Sequence, residues 1–268
     1  TGSIYMIVTV IGPALAGFIA YRLGFRPMLL VALVFYALAT VVRVWMALAE
    51  RFAPLKAAEK PTWSGLKLQV GAMFSLLVAG GILTWIWITD AVGDTSFSLI
   101  SQLYPIYLKD IGLMNVEQIG LLNASWGAVV ILAGFAAGWL SDHTSERKVI
   151  AGGFLLEGLG LALLIQLRGF GGFLAAMMVF GLGNGSLMPA YQSLISKVVP
   201  EDKRGLAFGF FGTSLGLLSL PFPWIGAQLW ERFSPQTPFW FAVLACLISI
   251  PIAYLKFFQP KTEPNRTG

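Results

Sequence analysis

One cysteine, Cys246, and one histidine, His143, are all that 268 residues offer of the soft, metal-binding side chains. A lone Cys builds no disulfide framework, and one of each builds no zinc site. Cys246 sits inside an apolar run and reads as a small packing residue. Charge is scarce too: Asp, Glu, Lys and Arg make up 12% of the chain, about half the share of an average soluble domain. So few charges leave no water-facing coat, which excludes an ordinary soluble globule. Alternation of period two is missing, which excludes a membrane β-barrel. The glycines Gly181, Gly183 and Gly185 follow no strand, so they are helix-packing residues rather than a phosphate loop. What remains is apolar: 57% hydrophobic residues with nine Trp and twenty Phe, and a mean hydropathy of +0.76. The net charge of +5 does not point to nucleic acid. Its basic residues lie in short clusters between apolar runs, as topology signals do.

A bilayer core needs about 20 mostly apolar residues per helix. Eight stretches qualify, near 4–20, 27–48, 82–108, 119–140, 149–167, 172–196, 206–230 and 237–257. The fold class expected is an all-α, polytopic transmembrane helix bundle embedded in lipid. Apolar sequence begins at Ile4 with no basic segment before it, so further helices are expected upstream. The stretch 64–108 is too long for one span. Residues 64–78 are expected to lie on the membrane surface, with Gly80 and Gly81 bending into a span that starts near Ile82. Charge asymmetry supports that choice. Eight spans put thirteen Lys and Arg on one side and five (Arg22, Arg26, Lys109, Arg168 and Arg232) on the other. A ninth span would give eight against ten, and the positive-inside rule favours the first arrangement. The C-terminus is then cytoplasmic.

Between the fourth and fifth spans the chain reads Gly138-Trp-Leu140-Ser-Asp142-His-Thr-Ser145-Glu-Arg147-Lys148. This resembles the cytoplasmic loop motif of the major facilitator superfamily, Gly-x-Leu-x-Asp-(basic)-x-Gly-Arg-(Arg/Lys), in its weaker second copy. His143, Ser145 and Glu146 depart from the pattern. Pro200-Glu-Asp-Lys-Arg204-Gly205-x-Ala-x-Gly209 looks like that family's loop before its eleventh helix. Gly12-Pro13-Ala-Leu-Ala16-Gly17-Phe-Ile19 looks like the Gly-Pro element of the fifth helix in proton-coupled exporters. The resemblance implies that the chain covers the family's helices five to twelve. Residues 1–48 would be the last two helices of an N-terminal transporter half whose remainder is missing. Residues 49–81 would be a cytoplasmic linker with its surface helix, 82–258 the C-terminal six-helix half, and 259–268 a cytoplasmic tail. In the loop motif, Gly138 follows Gly134 by four residues, a small-xxx-small face suited to close helix approach. Asp142 ends a helix where a carboxylate can face another helix's N-terminus. Arg147 and Lys148 can pair with Glu201 or Asp202. The resemblance makes these four a conformational device that tunes two states.

The third span carries the chemistry. Asp90, Asp94, Ser98 and Gln102 recur every four residues, a polar stripe on an apolar helix. Acids at membrane depth cost on the order of 2.5–3.5 kcal/mol each, so they should face an interior or a wet cavity. At about 6 Å and an effective dielectric near 20, two carboxylates repel by roughly 2.8 kcal/mol. The pair is therefore expected to hold one shared proton unless a cation sits beside it. That cation could be a substrate or a basic residue of the missing half, since no Lys or Arg lies deep in the eight spans. Asn123 and Trp126 in the fourth span, and Asn184, Tyr191 and Gln192 in the sixth, lie on helices that line the cavity in the resembled fold. Glu157, in the fifth span, reads as a structural acid buried between helices.

The function expected is secondary active transport by alternating access, driven by an ion gradient because no nucleotide motif is present. Proton-coupled export of small organic or cationic compounds is the narrower expectation, with a small-molecule substrate and protons as partners. An uptake symporter is the alternative. A non-transporting scaffold or receptor lacks the extramembrane domain it would need, and an enzyme lacks any nucleophile–base pair. No cofactor is implied. The resemblance places the chain in a bacterial or archaeal plasma membrane.

Overall fold

The computed structural model describes residues 2–50, 71 and 81–257. Most of the expected linker and surface helix, and the tail 259–268, lie outside the described residues. The chain opens with α1 (Gly2–Leu23) and α2 (Phe25–Glu50). After the linker come α3 (Ile82–Ser101), α4 (Val116–His143), α5 (Glu146–Gln166) and α6 (Gly169–Val198). Then follow α7 (Arg204–Ser219), α8 (Phe222–Arg232) and α9 (Thr237–Lys256). No strand occurs among the described residues. Among the described residues six segments are long and apolar enough to cross a membrane, with α7 and α8 counted together. The stretch α3 is not among them, because its polar stripe dilutes it.

All eight expected stretches are helical, but two are interrupted. Gln102 breaks α3, which continues as Leu103–Ile106 and a π turn, Tyr107–Ile111. Pro105 supplies the reason: it has no N–H to give to the preceding turn, and its ring crowds the carbonyl four residues back. The seventh stretch, expected as one helix over 206–230, is α7 and α8 with a break at Leu220-Pro221. Pro221 and Pro223 end one helix and start the next. Gly81 is the N-cap of α3, so the span begins where the glycine pair predicts. A capping box starts α4. Asn115 Oδ1 accepts from the Gln118 N–H at 2.8 Å, and Gln118 Oε1 accepts from the Asn115 N–H at 3.0 Å.

The middle of the bundle is a seam of α4, α5 and α6, with α9 on α5, and α7, α8 and α9 on α3. Glycines set the seam's spacing. A Cβ at Gly183 would strike the backbone of Glu157 and Gly153 in α5, and one at Gly185 would strike the backbone of Val130 in α4. The glycine run of α6 thus lets one helix lie backbone to backbone against two others. Two buried clusters fill the interior, one around Ile86, Ile150, Phe154 and Leu194, the other around Tyr107, Leu164, Phe173 and Phe239. Outside the bundle, α1 packs on α4 and α2 packs on α1.

Candidate functional site

Along α3 two cavities open, one after the other. The larger, about 380 Å³, takes α3 from Asp90 to Phe97 and is completed by α5, α6 and α7. The smaller, about 210 Å³, takes α3 from Phe97 to Ser101 and the following turn to Pro105, with α4, α5 and α6. Phe97 belongs to both walls.

Five of the eight expected site residues meet in the larger cavity: Asp90, Asp94, Asn184, Tyr191 and Gln192. Asp90 is half-buried and Asp94 exposed. Ser219, at the end of α7, donates to Asp94 Oδ2 at 3.1 Å, and the Trp87 indole donates to Ser214 Oγ at 2.9 Å. Those two bonds tie α7 to α3, one at Asp94 itself and one at Trp87, a turn before Asp90. Tyr191 is buried, and its hydroxyl donates to Thr89 Oγ1 at 2.8 Å. Thr89 in turn donates to the Trp85 carbonyl at 3.0 Å. The ring of Tyr191 is thereby fixed beside Asp90, with its proton already committed. Gln192 is exposed at the rim.

Glu157 also lines this cavity, although its sequence context assigns it only a structural place. It is buried, 7% exposed, as expected of an acid between helices. Its Oε1 accepts from Asn184 Nδ2 at 2.9 Å, and Cys246 Sγ donates to its Oε2 at 3.8 Å. The Cys246 thiol therefore packs and also touches a carboxyl. Three carboxyl groups and no Lys, Arg or His line the larger cavity among the described residues. Its field is set by acids, which suits a proton or an organic cation. No group of side chains suited to holding a metal ion occurs among the described residues.

The other three expected residues fall elsewhere. Asn123 and Trp126 line the smaller cavity. Gln102 is exposed and lines neither cavity, which corrects the straight polar stripe. Positions four apart advance about 40° past a full turn, so twelve residues carry Gln102 roughly 120° away from Asp90.

A family model described as Major Facilitator Superfamily matches residues 86–268. The chain belongs to the major facilitator superfamily. Its members are non-enzymatic transport proteins, and with its apolar helices this superfamily chain is an integral membrane protein. It is 26% identical over 171 residues to an uncharacterised MFS-type transporter of Methanocaldococcus jannaschii, covering 64% of this chain and 44% of that protein. It is 26% identical over 163 residues to the quinolone resistance protein NorA of Staphylococcus aureus, covering 61% and 42% respectively. The chain thus spans less than half the length of these relatives. In fold it is similar to a bacterial homologue of the iron transporter ferroportin in an inward-facing state, with a TM-score of 0.69 at 16% identity, over 95% of this chain and 61% of that one. It is also similar to the peptide transporter POT in complex with sulfate, with a TM-score of 0.54 at 22% identity, over 64% and 37%.

The superfamily loop motif ends α4 and begins α5. The side chain of Asp142 lies outside the described residues. Gly138 has open space around its Cα, and Gly134 faces the Gly185 carbonyl at ordinary contact distance. The close approach expected at Gly138 is therefore missing among the described residues. Arg147 lies over the ring of Tyr254 in α9, 5.3 Å from its centre, and Lys148 is exposed. Glu146, one of the departures from the motif, forms an ion pair with Lys197 of α6 and accepts a bond from Ser193 at 2.9 Å. The acid that replaces a basic residue in the motif braces α5 to α6 within one bundle.

Proposed function

We propose that this chain forms the later part of a secondary active transporter that works by alternating access and exports small organic cations in exchange for protons. The observation that carries this reading is the larger cavity. Asp90, Asp94 and Glu157 line it and no described basic side chain answers them. A site of that sign holds either protons or a cation, and an exchanger needs both in turn. In this reading residues 1–48 belong to an N-terminal half, residues 82–258 form the C-terminal half, and the transport path runs between the two. The C-terminus is cytoplasmic and Asp142, Arg147 and Lys148 tune the balance between inward- and outward-facing states.

Neutralising the acid pair tests the coupling. Asn keeps the shape of Asp and still accepts from Ser219, and it removes the like-charge repulsion. Asp90→Asn and Asp94→Asn should therefore keep wild-type thermal stability or exceed it. In proteoliposomes of the intact protein, uptake of an organic cation such as ethidium driven by a pH gradient should fall at least tenfold, an expected fold-change on the order of 1.4 kcal/mol. Wild-type gradient-driven transport in both variants would refute the coupling role.

A further inference from the structure

Glu157 lies midway along α5 (Glu146–Gln166), about 15 Å of helix from either end. At that depth its side chain is too short to reach water at the membrane surface. Its backbone is fixed as well. A Cβ at Gly183 would stand 2.9 Å from the Glu157 Cα, so α6 already presses on this turn of α5. What the side chain does reach is the larger cavity, which it lines while only 7% exposed.

The groups that hold its carboxyl are neutral. Asn184 of α6 donates from Nδ2 to Oε1 at 2.9 Å, and Cys246 of α9 offers Oε2 a thiol at 3.8 Å. A thiol is a weak donor. The other titratable groups of the cavity wall are Tyr191 of α6 and, on α3, Asp90 and Asp94; α7 adds none among the described residues. No described Lys, Arg or His lines it. One amide and one weak donor do not replace the hydration that an ionised carboxylate gives up on burial. They do suit a neutral acid, whose Oε1 accepts from the amide while Oε2 carries the hydrogen. A cation inside the cavity alters that balance, because a positive charge nearby favours the ionised form. Asp90 and Asp94 are placed differently. They are half-buried and exposed respectively, and Ser219 donates to Asp94 at 3.1 Å.

We propose that Glu157 is a proton site of its own, separate from the acid pair, which keeps a proton while the cavity is empty and gives it up when a cation binds. This rests on the exchange reading above and divides the work among the acids. Asp90 and Asp94 hold the cargo. Glu157 loses the hydrogen on Oε2 to water on the side where the cavity is open, and takes one back after the cargo leaves. Each turnover then moves about one proton more than the acid pair alone would exchange.

Ethidium tests this on the intact protein purified in detergent. Added to weakly buffered protein near neutral pH, it should release protons, counted with a pH electrode against the ethidium bound. Glu157→Gln keeps an oxygen for Asn184 to donate to, so the variant should melt at the wild-type temperature. It should release about one proton fewer per bound ethidium. A second measurement needs no substitution. Dicyclohexylcarbodiimide, which attacks protonated carboxyls in apolar surroundings, should modify Glu157 of the empty wild-type protein, mapped by mass spectrometry of the α5 peptide. Bound ethidium should suppress that modification. Equal proton release by wild type and Glu157→Gln overturns the proposal, and so does a Glu157 that the carbodiimide spares or that ethidium does not protect. Ethidium that does not bind at all sinks the export reading and this proposal with it. Ethidium that binds with equal proton release condemns the role of Glu157 alone.

Discussion

At Gly183 a single missing methyl decides how near α5 and α6 can lie. A Cβ there would meet the Glu157 backbone, with its Cα at 2.9 Å, and backbone cannot swing aside as a flexible side chain can. Gly183→Ala should therefore cost about 1–3 kcal/mol and lower the unfolding temperature of the purified protein by several degrees. Gly138→Ala, placed in open space, should leave that temperature unchanged. Equal temperatures for the two variants would show that the seam is looser than described. The individual acids were legible in the sequence because Asp90 and Asp94 are four residues apart on one helix, and the 3.6-residue period alone puts them on one face. Their partners were not. Ser219 is 125 residues from Asp94 and Asn184 is 27 residues from Glu157, so only the packing of separate helices brings them together.

Helices were the most legible level, since long apolar stretches mark themselves. The break between α7 and α8 was also written in the sequence, as two prolines two residues apart, and weighing them would have divided that span. The π turn at Tyr107–Ile111 was not, because its fit depends on Gly112 meeting the Phe173 ring, which lies on another helix. The contact of α1 with α4 rests on a second glycine crossing. A Cβ at Gly120 would stand 2.7 Å from the Pro13 carbonyl and 3.0 Å from Gly17 Cα. The Gly-Pro element thus meets α4 near the ends that the charge pattern assigns to the outside. A bulky residue there should hold that side apart. In the intact protein Gly120→Leu is expected to shift the balance toward an outward-open form by about 5- to 150-fold, the equivalent of about 1–3 kcal/mol of overpacking. Maleimide labelling of cysteines placed at Glu117 and Arg22 from outside should rise accordingly. Unchanged labelling would mean that this crossing does not part during the cycle.

For the whole molecule the charge count predicts a topology that the superfamily fold alone does not prove for this chain. Cysteines at Ser145 and Lys203 should react with impermeant reagents only from the cytoplasmic side, and those at Lys109 and Arg232 only from the opposite side. Labelling of Ser145 from outside would make 64–81 a membrane span and invert every later loop. The long-range contacts in the bundle also have an order in time. The helix α3 is too polar to count among the membrane-crossing segments, and the serines that bond to its Trp87 and Asp94 lie 127 and 125 residues later. A ribosome adding about 5–20 residues per second takes roughly 6–25 s to make them. During that interval Trp87 and Asp94 of α3 lack their serine partners. Its fate while the rest is synthesised therefore depends on the insertion machinery holding it, or on α4, α5 and α6 sheltering its acids first. Asp94 lowers the hydropathy of α3, and its bond to Ser219 can form only once α7 has been made.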